Sequence, residues 1–307
     1  RGLGDVYKRL PLIESMTGEN GRENFYQKTV GSKASTPIEV VDMGLRGFTR
    51  KIGILKDYNA NFQCGQCHNA ANRYLTYKWL KDDKPVRPED LQKAGVSPYA
   101  TEFFKDPLES WAWFKAKGWH QGVNGTTGVH YVNGSDHPHV EIMLQSKHGQ
   151  AGVTCTDCHF ARKADGKAEH QPSLVKLKVE NTCMRSACHG PGSKSNWTDP
   201  GQALYTIEAI QQEYRIRVQK MEMAAKDAQR IFMKLKAGEA SLPQEVKEKL
   251  ETAYEKYLSA RDWYLTDLSS GFHDPEGFNR TVSVVTWELR KTNAAAQGAL
   301  KKTPVKQ

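Results

Sequence analysis

VTCTDCHFARKADGKAEHQPSLVKLKVENTCMRSACHG, residues Val153 to Gly190, holds two cysteine pairs, and each pair ends in histidine. The first pair reads C-T-D-C-H and the second C-M-R-S-A-C-H, two residues longer between its cysteines. A third pair lies upstream as C-G-Q-C-H. All six cysteines, Cys64, Cys67, Cys155, Cys158, Cys183 and Cys188, are used, and the residues that follow are His68, His159 and His189. With ten histidines in 307 residues, chance would put histidine after all three pairs roughly once in 30,000 sequences, so composition does not account for the pattern.

The chemistry that needs this spacing is covalent haem attachment. Two thiols reach the two vinyl groups on one porphyrin edge, and the adjacent imidazole turns onto the iron as its proximal ligand. The longer pair, Cys183 and Cys188, keeps its terminal Cys-His intact and reads as a variant of the same attachment, giving three haems c in this chain. A four-thiolate zinc site would leave three histidines idle. Disulfides within such close pairs would close very small loops and contribute little stability. A thioredoxin-like redox pair needs a strand before it, and no apolar strand pattern precedes any of the three.

Seven histidines remain for the other face of each iron: His120, His130, His137, His139, His148, His170 and His273. His148 (S-K-H-G), His170 (A-E-H-Q-P) and His273 (G-F-H-D-P) are expected as distal ligands. His120, His130 and His139 are weaker candidates. Two imidazoles leave an iron no open coordination site, which suits electron transfer better than substrate binding.

Bulk properties fit a chain completed by a cofactor. Apolar residues make up 38% and the mean hydropathy is −0.68, lean for a globular interior of this size. The net charge of +9 is scattered among acidic residues with no basic stripe or nucleic-acid motif, so no nucleic-acid partner is expected. No apolar run approaches the roughly 20 residues of a membrane span.

Residues 1–60 are expected to form two helical segments, around Leu10–Met16 and Ile38–Ile54. Residues 61–199 are loop-rich, and Trp111, Trp113, Phe114 and Trp119 read as a packing cluster against haem or core. Long amphipathic helices follow. Ile207, Tyr214, Val218, Met221, Ala225, Ala228 and Phe232 keep a spacing of three and four, with Gln211 as the polar interruption. A capping box of Ser241 and Gln244 is expected to open a second helix, with Val246, Leu250, Ala253, Tyr257, Ala260 and Tyr264 as its stripe. Asp274-Pro275 would cap a third, running to about Ala299. The fold class expected is mostly α: a multihaem cytochrome c with a haem-packed region at 1–199 and a long-helix region at 200–307 continuous with it.

The ordered set C-G-Q-C-H, H-P, H-G with C-x-D-C-H, a third pair, then long helices with G-F-H-x-P resembles the last three haem sites of the pentahaem cytochrome c nitrite reductases. Octahaem hydroxylamine oxidoreductase and sulfite reductase relatives share that core. The resemblance implies helices around closely packed haems, export to the periplasm or cell exterior of a bacterium, and homo- or hetero-oligomers formed through the long helices. It also implies redox partner proteins and further haem-bearing subunits. His68, His159 and His189 match its proximal ligands, His148, His170 and His273 its distal ones, and His137 its active-site histidine, the catalytic candidate here.

The rest of that pocket departs from the family. Ala70 and Ala71 stand where the family has Glu and Tyr, and K-x-Q-H reads Gly134, Ser135, Asp136, His137. Alanine neither donates a proton nor ligates calcium through its side chain, which argues against calcium and against nitrite reduction in this pocket. No C-x-x-C-K, the family's substrate-haem motif, is present. The expected function is therefore electron transfer through bis-histidine haems. The alternative is a subunit or fragment of a nitrite or sulfite reductase, or of a hydroxylamine-oxidising enzyme, whose open haem lies upstream or in a partner; His137 and Tyr131 would then face substrate.

Overall fold

The computed structural model describes residues 39–45, 48–54, 61, 64, 68, 79–86, 104–132, 137–160 and 172–302. Leu10–Met16, Cys67, Ala70, Ala71, Gly134–Asp136 and His170 lie outside the described residues.

The segment expected as a helix at Ile38–Ile54 is a hairpin instead. Strands β1 (Glu39–Leu45) and β2 (Phe48–Ile54) pair antiparallel, Glu39 opposite Ile54 and Leu45 opposite Phe48. Val40, Val41, Thr49, Ile52 and Ile54 are β-branched, and Gly44 and Gly53 disfavour a helix, so strand propensity prevails over an apparent helical period. A second, three-stranded sheet joins β3 (Leu80–Lys81), β4 (Lys84–Pro85) and, beyond helix α1 (Pro107–Ala116), β5 (Trp119–His120), in the order β4-β3-β5.

Asp106 starts α1 by accepting the backbone N–H groups of Leu108 (2.9 Å) and Glu109 (2.8 Å), with Pro107 at the first helical position, where proline loses nothing. Its aromatic residues form the expected packing cluster and meet protein: Phe114 stacks on Trp79 at 3.9 Å, and Trp113 packs edge-on against Trp119 at 5.8 Å. Three short helices follow: α2 (His139–Gln145), α3 (Lys147–Gln150) and α4 (Cys155–His159). A 3-10 stretch spans Pro172–Lys178.

Helices α5 (Pro200–Lys236), α6 (Gln244–Leu265) and α7 (Pro275–Lys302) make the fold mostly α. Asp199 caps α5, accepting Gly201 N–H at 3.0 Å, while the Gln202 side chain reaches back to the Asp199 N–H at 3.2 Å. The expected cap at Ser241 does not form. Pro243 occupies the N-cap of α6 and its backbone extends the chain into the helix, leaving Ser241 outside. Asp274 caps α7 as expected, accepting Gly277 N–H at 3.2 Å.

Side-chain bonds give the helix directions. Tyr214 donates to Tyr264 carbonyl, Tyr257 to Glu222 and Gln229 to Tyr254, so α5 and α6 run antiparallel. Lys256 pairs with Glu288 at 2.9 Å, and Tyr264 packs on Phe278, so α7 turns back along α6. The apolar stripes read from the sequence face inward: Met221, Ala225, Ala228, Leu250 and Ala260 are fully buried, and Val285 and Leu289 of α7 join them. Each large apolar side chain removed from water in this way contributes about 1.5–3 kcal/mol before chain entropy is counted. The same core cluster takes in Trp79, Phe104, Phe114 and Trp119. Glu255 fastens α1 to α6, buried and accepting from Lys115 Nζ at 2.7 Å and Trp111 Nε1 at 3.3 Å. No described helix is long and apolar enough to cross a membrane.

Candidate functional site

Two short backbone devices position the histidines. Thr154 leads into α4, with the Asp157 carboxylate accepting both its N–H and its hydroxyl at 2.8 Å. This closes the first turn, so Cys155, Cys158 and His159 sit on one helical segment. In the longer pair, Arg185 carbonyl accepts the N–H groups of Cys188 (2.8 Å) and Gly190 (3.0 Å), and His189 N–H returns to Cys183 carbonyl at 3.0 Å. The two extra residues are thus absorbed as a turn between cysteines. Arg185 then reaches Asp157 at 3.3 Å, tying the second motif to the third.

The first motif is tied to the second by Asn61. This buried residue accepts Cys155 N–H on its side-chain oxygen at 2.7 Å and donates to Val153 carbonyl at 3.5 Å. His68 N–H bonds Cys64 carbonyl at 2.9 Å, and His68 carbonyl accepts Val140 N–H at 3.0 Å, which brings the H-P-H segment alongside. The Cys155 thiol is hydrogen-bonded to Cys64, which pulls the Cys64 pKa down to about 7 against the effect of burial. Burial, with Cys183 nearby, pushes Cys158 up to about 11.

The imidazoles gather into one body. His159 and His273 have ring centroids 6.2 Å apart, and His148 and His189 stand 6.0 Å apart with planes at 87°. With iron–nitrogen bonds of ~2 Å and a ring radius of about 1 Å, two imidazoles on opposite faces of one metal bring their centroids to roughly 6 Å. The donor set and spacing therefore fit haem iron. His68 lies 5.2 Å from His139 and 5.8 Å from His137, and His139 lies 5.7 Å from His273.

Supporting groups orient several of these rings. His273 Nδ1 faces Asp267 Oδ1 at 3.1 Å, and Ser269 hydroxyl donates to the same carboxylate at 2.7 Å. Burial would raise the Asp267 pKa, but the bond and charge of His273 and the Ser269 bonds outweigh it, and the carboxyl stays below its ordinary value. Burial first, then His273, lowers His139 to about 4, so its ring is neutral. Burial, then His189, also lowers His148. His189 stacks on Trp197 at 4.5 Å and contacts Ser195 Oγ at 2.9 Å through Nδ1.

Two glycines make these approaches possible. A Cβ on Gly149, next to His148, would come 2.0 Å from Met143 carbonyl oxygen, and one on Gly271, at φ +80, would come 2.8 Å from the Tyr214 ring. Only glycine tolerates both demands.

His137 Nδ1 is buried with no hydrogen-bond partner among the described residues. Tyr131 does not stand free for substrate: its phenol bonds Asp262, and burial together with that carboxylate raises its pKa well above the ordinary tyrosine value. His120 and His130 lie apart, stacked on one another at 4.4 Å. Sequence reading missed Asn61, Asp157, Arg185, Asp267 and Trp197; only the polar residues between the cysteines, Asp157 and Arg185, offered a hint.

Residues 59–307 match the cytochrome c552 family. The cytochrome c-552 of Bacteroides thetaiotaomicron is 28% identical over 138 residues, 41% of this chain and 22% of that protein. The cytochrome c nitrite reductase subunit NrfA of Nitratidesulfovibrio vulgaris is 23% identical over 223 residues, 69% of this chain and 40% of that protein. The chain thus spans less than half the length of these curated relatives. Among solved structures, the Desulfovibrio desulfuricans cytochrome c nitrite reductase superposes with a TM-score of 0.55 at 16% identity, covering 84% of this chain and 59% of that one, which establishes a shared fold.

Proposed function

We propose, from the premise that this chain belongs to the cytochrome c552 family, that it is an electron-transfer polypeptide with three covalently attached haems c. Cys64 and Cys67, Cys155 and Cys158, and Cys183 and Cys188 would form the thioethers, with His68, His159 and His189 as proximal ligands. His273 would oppose His159, and His148 would oppose His189. His170 is retained as the third distal ligand, although His139 is the ring nearest His68.

The observation that carries this reading is the two pairs of facing imidazoles, at 6.0 and 6.2 Å. When bound, each haem supplies a one-electron iron couple. This chain's residues hold those couples fixed. Asp267 accepts from His273 Nδ1, turning Nε2 outward as the ligating nitrogen, and carboxylate support of this kind raises ligand basicity. Ser195 and the Trp197 ring restrain His189 in the same way. Burial keeps His139 and His148 neutral, with their lone pairs available.

Residues 1–199 would hold the haems and 200–307 would act as their continuous helical mount, not as an independent unit. Location in the bacterial periplasm or outside the cell, partner redox proteins and oligomers through the long helices belong to the same proposal. The inward-facing stripes are used within the chain, so oligomers would use the outer faces of α5 and α7, where Met223 and Trp287 are exposed. Spectra of purified protein test the reading. Low-spin signals from every iron, unchanged by nitrite, cyanide or hydroxylamine, are expected; a high-spin fraction that shifts with these ligands would overturn it.

A second reading rests on His137, whose Nδ1 is buried beside His68 with no hydrogen-bond partner among the described residues. Such an atom suits a histidine aimed at a bound small molecule, as in an enzyme completed by an open haem upstream or in a partner. Calcium plays no part in either reading.

A further inference from the structure

Away from the cysteine motifs, the second sheet brings three ligand-type side chains together. Asp83, His120 and His130 each present one donor atom, and all three donors lie within 4.8 Å of one another. We propose that these residues bind one divalent transition-metal ion of the zinc, copper or nickel class, at a site separate from the haem irons.

The backbone holds the three ligands from different directions. His120, only 6% exposed, sits on β5, paired with Leu80 of β3. Asp82 and Asp83 form the two-residue turn from β3 to β4 with φ of 50° and 59°. This is the left-handed conformation that closes tight hairpins and that aspartate tolerates better than most residues. His130 returns beside β5 through Gln121 N–H to Tyr131 carbonyl (2.6 Å) and Tyr131 N–H to Gly122 carbonyl (2.9 Å). The intervening turn is pinned by Asn124 Oδ1, which accepts from Thr126 and Thr127 N–H at 3.1 Å, and by Lys236 of α5 donating to Gly125 carbonyl at 2.8 Å.

The two imidazoles stack at 4.4 Å with planes 18° apart. They lie side by side, with no gap for an iron between them, unlike the opposed pairs at about 6 Å. His120 Nε2 points toward Asp83 Oδ1 at 3.8 Å. On its other side, Nδ1 lies 3.3 Å from Gly122 carbonyl oxygen and 3.2 Å from Gly122 N–H. With Nδ1–H donated to that carbonyl, the Nε2 lone pair is free for a metal, the usual outer-shell arrangement of a ligating histidine. Metal bonds of ~2.0–2.2 Å would draw the three donors to within about 3.5 Å of one another, so the exposed Asp83 and His130 would close by roughly 1 Å onto the fixed His120. Two imidazoles and a carboxylate favour zinc, nickel or copper over magnesium or calcium. Water would complete the coordination on the exposed side.

The test is equilibrium dialysis of the haem-loaded chain against zinc, with metal content measured by atomic emission. One equivalent of zinc is expected, lost in His130→Ala and bound at least about tenfold more weakly in Asp83→Asn, with haem spectra unchanged in both. X-ray absorption at the zinc edge should show two imidazole nitrogens. Absence of zinc binding by the native chain, or equal binding by both variants, overturns the proposal. So does a high-spin haem signal in His130→Ala, which would make His130 an iron ligand.

Discussion

The bundle of α5, α6 and α7 and the segment from Asn61 to Asp199 are two ways of filling an interior. The bundle is filled mainly by side chains of its own helices: Leu250, Tyr254, Ala260, Trp263 and Leu289 are each no more than 1% exposed. The described residues of the segment ahead of it form short helices and many polar turns, with imidazoles and thiols close together. Its buried apolar side chains are shared with the bundle: Trp79, Phe104, Phe114 and Trp119 join the main cluster, and Val179 packs with Ala203 and Ile207 of α5. Long helices with inward stripes hold themselves together; a loop-rich segment of this kind needs a large flat apolar group to pack against. The contrast puts most of the buried apolar core in one region and most of the candidate ligands in the other, with His273 as the exception.

The sharpest way to break this contrast is to remove one attachment point. Cys155→Ser with Cys158→Ser should lower the intact mass by one haem and expose residues 137–199 to protease, while circular dichroism still reports most of the helix content of α5 to α7. Loss of all helical signal would show that the bundle depends on haem and would end the distinction.

Next in size is the converse change. Trp263→Ala removes a fully buried ring from the bundle and should cost about 3–5 kcal/mol of stability in denaturant titration, with haem absorption unchanged in the folded protein. A smaller effect is expected at the seam between the regions. Glu255→Ala leaves Lys115 and Trp111 Nε1 without their acceptor and should destabilise by about 1–3 kcal/mol, measured as a lower thermal midpoint. Smallest in stability, but specific in chemistry, is Asp267→Asn. It weakens carboxylate support of His273 and should raise the midpoint potential of a single haem in a redox titration while leaving the others in place.

The cysteine-histidine motifs and the bundle are the parts most legible in the sequence because both are local patterns. A Cys-Cys-His run declares itself within five to seven residues, and a stripe with spacing three and four declares a helix face. Asp274-Pro275 likewise announced the start of α7. Contacts between distant segments left no such trace. Asn61 meets Val153 and Cys155 more than ninety residues away, and an asparagine before a cysteine motif looks like any loop residue. The β1–β2 hairpin was misread because short apolar runs fit helical and strand periods alike; β-branched residues and glycines decided it. Ser241 had the right partner at Gln244, but proline at position 243 moved the helix start past it.

His273 hangs on the short connection between α6 and α7, two residues after Gly271, the glycine that lets the chain press against Tyr214 of α5. Its distance to His159 is therefore a reading of how α7 is seated along its neighbours. A slip of α7 by one turn, ~5.4 Å, would carry the imidazole nearly the whole span that now separates it from its partner ring. The knobs and pockets along α6 and α7 thus act as a vernier, setting from a helix length away whether one link in the proposed electron relay is made or open.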